Sequence, residues 1–94
     1  MVQLVWTTPA LHDLAAVRAF AGQDNPGAAG RQVALVVAAA LGLINFPNAG
    51  RPGRRTGTRE LVVGRTPYIV AYRVRGDTVE LLRVLHGRQR WPNM

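Results

Sequence analysis

Two residue types are missing from this chain, and each absence removes a class of chemistry. There is no cysteine, so neither a disulfide nor a thiolate metal site can form. That suits a reducing compartment. There is no lysine, so every strong base is an arginine, a planar and permanently charged fork that suits phosphate and carboxylate better than an ammonium group does. A GC-rich genome explains the bias by itself, but the physical consequence is the same. The longest apolar run, Val33 to Ile44, falls short of the roughly 20 residues needed to span a bilayer. The opening MVQLVWTTP has neither a basic leader nor a long apolar stretch, so it does not read as a signal peptide. A soluble cytoplasmic protein is the expectation. The two histidines, His12 and His86, are far apart; with no cysteine beside them, no metal site and no cofactor are expected.

What remains is divided unevenly. Residues 51–94 carry ten of the twelve arginines against Glu60, Asp77 and Glu80, whereas Arg18 and Arg31 cancel Asp13 and Asp24 in the first half. The whole formal charge of +7 therefore sits on the second half. Such an arrangement suits a neutral scaffold that presents a cationic surface to an anionic partner. Ninety-four residues, 48% hydrophobic, make one folded domain over 1–94 with a single core.

Val2 to Trp6 reads as a short strand. Threonine before Pro9 is a helix-start signal, and Leu11, Leu14, Val17 and Ala21 follow at near-helical spacing, which predicts a helix from about Pro9 to Ala21. Asp24-Asn25-Pro26 repeats the signal, and a second helix is expected from Pro26 to about Asn45. Its wide apolar face is Val33, Val36, Val37, Ala40, Leu41 and Ile44. A link of three or four residues makes the two an antiparallel hairpin. Phe46-Pro47-Asn48-Ala49-Gly50 breaks the second helix, and residues 51–57 read as a loop. Three strands follow, Thr58–Val63, Tyr68–Arg75 and Thr78–His86, with a Gly76-Asp77 hairpin between the last two. The fold class is α+β in the order β-α-α-β-β-β, a helical hairpin packed on one face of a small, mainly antiparallel sheet.

Alternation puts Tyr68, Val70, Tyr72 and Val74 toward the helices and Ile69, Ala71, Arg73 and Arg75 on the other face. On the last strand it groups Glu80, Leu82, Val84 and His86 on one face and Val79, Leu81, Arg83 and Leu85 on the other. Apolar residues on both faces imply that this strand is central or covered on its second side.

The β-α-α-β-β-β order, the early W-T-x-x-A-x-x-D-L at Trp6–Leu14, the FPNAGRPGR break, TRELVV, PYIVAYRV and LLRVLHGRQRWP together resemble the RelE/ParE superfamily of bacterial type II toxin–antitoxin toxins. The likeness covers nearly the whole chain and is strongest over residues 57–92. It implies a growth-arresting toxin held silent by a cognate antitoxin whose C-terminal segment wraps it. RelE-type members resemble ribonucleases that cut messenger RNA on the ribosome. ParE-type members, which include plasmid-stabilization toxins, act on DNA gyrase and need no nuclease residues. RelE-type nucleases often place an arginine after the tyrosine that opens the middle strand, where this chain has Tyr68-Ile69. The LRVLH run at Leu82–His86 is more similar to the ParE branch. A gyrase-directed, non-enzymatic toxin is therefore the leading expectation. The alternatives are a ribosome-dependent endoribonuclease and a non-toxic basic nucleic-acid-binding module.

Metal-free RNA cleavage needs a base, an acid and cations around the phosphate. His86, Arg83, Arg59 and Glu60 are the candidate catalytic set for the nuclease alternative. Against that reading, Glu60 beside Arg59 is more often a strand ion pair and His86 more often a structural hydrogen bonder. Arg54, Arg55, Arg59, Arg73, Arg75, Arg83, Arg88 and Arg90 are candidates for nucleic-acid or target binding, against the plain alternative of solvated surface charge. Trp91 could stack on a base, but packing on the sheet or against Pro92 is the preferred reading. His12 is expected on the exposed side of the first helix.

Overall fold

A computed structural model describes residues 1–91, apart from the side chains of residues 21–24 and 26. Strand β1 spans Gln3–Trp6, helix α1 Thr8–Asp24 and helix α2 Pro26–Gly42; strands β2 (Arg51–Pro52), β3 (Arg59–Val62), β4 (Tyr68–Arg75) and β5 (Thr78–His86) follow. The five-stranded sheet has the order β1-β5-β4-β3-β2. All neighbours are antiparallel except β1 and β5, which run parallel in register from Gln3 opposite Thr78 to Trp6 opposite Leu81. The expected order and fold class hold, and β5 is an interior strand, flanked by β1 and β4. Two connections are tighter than the sequence suggests. Asn25 alone separates the helices, and residues 51–52 of the supposed loop pair with Glu60 and Arg59 as an added edge strand.

Each helix begins on a side-chain cap. The Asn25 side chain accepts from the Gly27 N–H with proline at the first turn, which satisfies a donor that the helix itself leaves open. For α1 the cap is Thr7, whose hydroxyl accepts from Ala10 N–H at 3.4 Å and donates to the Leu81 carbonyl at 2.7 Å. One residue thus starts the helix and ties it to the central strand.

The core lies between the helices and the sheet, with Ala10 and Val17 of α1, Val36 and Ala40 of α2, and Val70, Tyr72, Val79 and Leu81 of the sheet all buried. Two positions on the expected helix faces are instead open: Leu11 is 50% and Leu41 52% exposed. On α1, Val17 is buried and Leu14 packs against the core as expected, but Ala10 takes the buried place expected of Leu11. Leu43, in the turn after α2, is buried with Val36 and Ala40 in the core. Ala21 lies outside the described side chains.

The largest departure from strict alternation is in β5. Ala71 pairs with Arg83 and Tyr72 with Leu81, so Leu82 is an extra residue, a β-bulge. A one-residue insertion swaps the faces of everything beyond it. Val79 and Leu81 before the bulge, and Val84 after it, therefore share the helix-facing core. Leu82 and Leu85 pack on the opposite face with Ala71 and Trp91. The expected grouping of Glu80 and Leu82 with Val84, and of Leu81 with Leu85, is corrected by this bulge. Thr7 Oγ1 donates to the carbonyls of Leu81 and Leu82, and the Asp13 carboxylate accepts from Val84 N–H at 2.9 Å. The bulge is thus gripped on both sides by the first turns of α1.

After α2 the chain turns back through Pro47–Gly50 under the hydroxyl of the fully buried Tyr72. That hydroxyl donates to the Pro47 carbonyl at 2.7 Å and accepts from Gly50 N–H at 2.9 Å. Gly50 has to be glycine, since an added Cβ would lie 2.7 Å from the Tyr72 ring. Removing the hydroxyl leaves a buried N–H without its acceptor. Tyr72→Phe is expected to cost about 1–3 kcal/mol of folding stability, measured by urea denaturation, with no change in the dependence of free energy on urea concentration. A loss below a few tenths would show that solvent takes over both contacts.

Candidate target-binding surface

Strand geometry delivers the first part of the site. On β4, Arg73 and Arg75 are two residues apart, so both project from the sheet face away from the helices. Arg73 lies opposite Glu80. The Arg73 Nε donates to Glu80 Oε1 at 2.7 Å, and Arg75 Nε lies 3.6 Å from the same oxygen. The hydrogen bond from Arg73 is the main influence holding the Glu80 carboxyl below its ordinary pKa; the charges of both arginines add to it against a smaller opposing effect of burial. Arg73 and Arg75 line a hollow of about 710 Å³ that Arg55, Arg83, Leu82 and Trp91 also border; Glu80 reaches its edge through its bonds to these two arginines. Trp91 is only 7% exposed and packs with Ala71 and Leu85, so the packing reading of this side chain is the one observed. Pro92 lies outside the described residues.

A second group forms at the loop between β2 and β3. Glu60 is 2% exposed and accepts from both the backbone N–H (2.8 Å) and Nε (3.0 Å) of Arg54, with Arg51 3.6 Å away. Burial alone would push its carboxyl up, but the two Arg54 hydrogen bonds and the charges of Arg54 and Arg51 together outweigh it and hold the group below its ordinary value. Arg54 also donates from Nη1 to the Gln89 carbonyl at 3.0 Å. This bond sets the turn carrying Arg88 and Arg90 beside the loop carrying Arg54 and Arg55. Arg55, Arg88 and Arg90 are exposed and make no ion pair among the described residues. Arg59 points the other way and donates to the Gly50 carbonyl at 2.8 Å.

Arg83 and His86 flank α1. Arg83 grips Asp13 with two bonds, Nε to Oδ2 at 2.6 Å and Nη2 to Oδ1 at 3.1 Å. The hydrogen bond to Asp13 dominates a raised pKa for this arginine, with burial opposing it and the Asp13 charge adding to it. His86 lines a different, mainly apolar hollow of about 400 Å³, which Asp13, Val17, Phe20 and Tyr68 share. Its ring meets Tyr68 edge-on at 5.9 Å, and its Nδ1 accepts from Arg88 N–H at 3.2 Å. In the neutral ring that leaves the proton on Nε2. His12 is exposed on α1, where it was expected.

The four residues named for RNA cleavage are therefore dispersed. Arg83 and His86 lie on either side of Asp13, Glu60 is enclosed by Arg54 and Arg51, and Arg59 is turned toward the Pro47–Gly50 segment. Of the binding candidates, Arg55, Arg73, Arg75, Arg83 and Trp91 share one hollow, and the bond from Arg54 to the Gln89 carbonyl sets the segment carrying Arg88 and Arg90 beside the one carrying Arg55. Sequence reasoning missed Thr7, Asp13 and Gln89, the three residues that hold this surface in place. An acidic residue five positions into a helix gives no sign that its partner lies in the last strand.

The comparisons with known proteins agree with this fold. Residues 4–91 match the family model described as the ParE toxin of the type II toxin–antitoxin system, parDE. Y4kP of Sinorhizobium fredii, which is named as a candidate toxin, is 45% identical over 89 residues, covering 95% of this chain and 92% of that one. Toxin RelE2 of Caulobacter vibrioides is 42% identical over 87 residues, covering 93% and 97%. Among solved structures, the chromosomal ParDE toxin–antitoxin system of P. aeruginosa superposes with a TM-score of 0.84 at 30% identity, covering 92% of this chain and 96% of that one. The RelBE2 toxin–antitoxin complex of Mycobacterium tuberculosis gives 0.64 at 32% identity, covering 90% and 96%. The chain belongs to the ParE toxin family of type II toxin–antitoxin systems.

Proposed function

We propose that this chain arrests growth by acting on DNA gyrase in the cytoplasm, without cutting RNA, and that a cognate antitoxin silences it. The observation that carries the reading is the dispersal of the candidate nuclease set. A general base and acid must reach one phosphate together, whereas Glu60, Arg59 and Arg83 are each committed to an internal partner. Tyr68-Ile69 also lacks the arginine that RelE-type nucleases often carry there. The closer superposition on the ParDE system than on RelBE2 and the family model support the same branch. The antitoxin follows from the toxin–antitoxin complexes that share this fold.

Likeness to a protein named RelE2 gives ribosome-dependent message cleavage as the second reading, and one pair of assays separates the two. Purified toxin is expected to inhibit gyrase supercoiling and to leave ribosome-bound messages intact, with His86→Ala retaining the inhibition. Cleavage mapped to ribosomal A sites and abolished by His86→Ala and Arg83→Ala would reverse the assignment. Absence of growth arrest on induction would leave only a basic binding module.

Glu60 yields an independent check, because a carboxyl held below its ordinary value is a weak base at neutral pH. Its folded-state pKa is lowered, so the stability it contributes is complete above the unfolded-state value near 4.5. That contribution is lost as the pH falls through the lower folded value. Glu60→Gln is expected to cost about 1–3 kcal/mol at neutral pH and to flatten the acid limb of a stability–pH curve while gyrase inhibition survives in the folded fraction. Loss of activity with unchanged stability would instead make Glu60 a functional group.

A further inference from the structure

Three features of the cationic hollow bear on what it can bind. Arg73 and Arg75 converge on a single oxygen of Glu80, so one carboxylate sits between two guanidinium groups and the seat retains a net positive charge. Arg55 on the rim, and Arg88 and Arg90 beyond it, are exposed and carry no acidic partner among the described residues. The bond from Arg54 to Gln89 holds their two carrier segments side by side, so the positive surface continues out of the hollow as a track. Finally, the aromatic side chain bordering the hollow, Trp91, has its ring buried on Ala71 and Leu85.

We propose that this track binds the phosphate backbone of duplex DNA, with Glu80 as the internal anion that a phosphate displaces from Arg73 and Arg75. Resting on the gyrase reading, the inference puts the toxin on the DNA that gyrase handles as well as on the enzyme. Residues two apart on an extended strand stand about 7 Å apart, a spacing comparable to that of successive phosphates. Arginine also forks onto phosphate oxygens in pairs. Single-stranded RNA is held through stacking of its bases on aromatic faces, and Trp91 offers none. Contact through phosphates alone suits a duplex, whose bases are already stacked. An acidic peptide would meet the same charges, but a track that runs past the hollow to Arg88 and Arg90 fits a uniform polyanion better.

Fluorescence anisotropy of the full chain with a short random-sequence DNA duplex, repeated over a salt series, tests this. Log affinity is expected to fall linearly with log salt, with a slope of about −3 to −5 for four or five phosphate contacts. Arg73→Gln with Arg75→Gln is expected to weaken binding about tenfold or more and to make the slope shallower by about 2. Glu80→Gln is expected to tighten binding, which loss of a merely structural carboxylate would not do. Arg18→Gln with Arg31→Gln, at exposed helix positions, leaves affinity and slope unchanged, and circular dichroism melts confirm that each variant is folded. Unchanged binding in the double β4 variant, an equal loss from the helix variant, or weaker binding by Glu80→Gln would overturn the proposal. So would an Arg73-dependent affinity for a polyglutamate peptide without affinity for the duplex. Supercoiling assays on the same proteins separate this inference from the one beneath it. Duplex binding by a chain that leaves gyrase active rejects the gyrase target and keeps the site. Gyrase inhibition by a parent chain that shows no affinity for the duplex keeps the target and rejects the DNA contact.

Discussion

The carboxylate of Asp13 is the point on which the arrangement turns. From the second turn of α1 it reaches the last strand, where it takes two bonds from the Arg83 guanidinium and one from the Val84 amide. β1 pairs with β5 only as far as Leu81, so beyond that residue the central strand would present open edge groups. An open strand edge invites pairing with other chains. Asp13 and Thr7 close part of this edge with side chains, and in doing so they fix the bulge at Leu82. The bulge then decides which half of β5 serves the helix core and which half serves the outer face.

The same economy of acids governs the charged half. Among the described side chains, three of the chain's five acids hold arginines in place: Asp13 holds Arg83, Glu60 holds Arg51 and Arg54, and Glu80 holds Arg73 and Arg75. Glu60 and Glu80 each stand between two cations, so neutralisation stays incomplete and the surface remains positive. Where a partner is well exposed, as Arg75 is beside Glu80, ion pairs add little stability on their own. Their effect is to orient long side chains that would otherwise sample many rotamers, and an oriented cation costs less to bind an anion than a free one. The charge bias read from composition thus becomes a surface with a shape.

Much of this was legible in the residues, for identifiable reasons. Proline and asparagine at 25–26 mark the start of α2. Gly76, at φ 55, marks the hairpin that sets the β4–β5 register, and the alternation of Tyr68, Val70 and Tyr72 against Arg73 and Arg75 separates core from site. The concentration of ten of the twelve arginines in residues 51–94 pointed to a cationic surface on that half. Three things were not legible. The bulge at Leu82 has no local signature, because Leu-Leu-Arg-Val-Leu satisfies either face. At the start of α1 the small Ala10, not the larger Leu11, faces the core, which near-helical spacing of large apolar residues does not show. The partnership of Asp13 with Arg83 spans 70 residues, and a contact of that range follows from the tertiary fold alone.

A double-mutant cycle on Asp13 and Arg83 tests the central claim most directly. Unfolding free energies would be measured for the parent, Asp13→Ala, Arg83→Ala and the double variant. If the pair is a structural clamp, removing either partner strands the other, and removing both costs little more than removing one, with a coupling of about 1.5–3 kcal/mol. Additive losses with a coupling near zero would mean that Arg83 is not bound to α1 in solution. Its guanidinium would then be free for a phosphate, and the case against a nuclease would lose its main support.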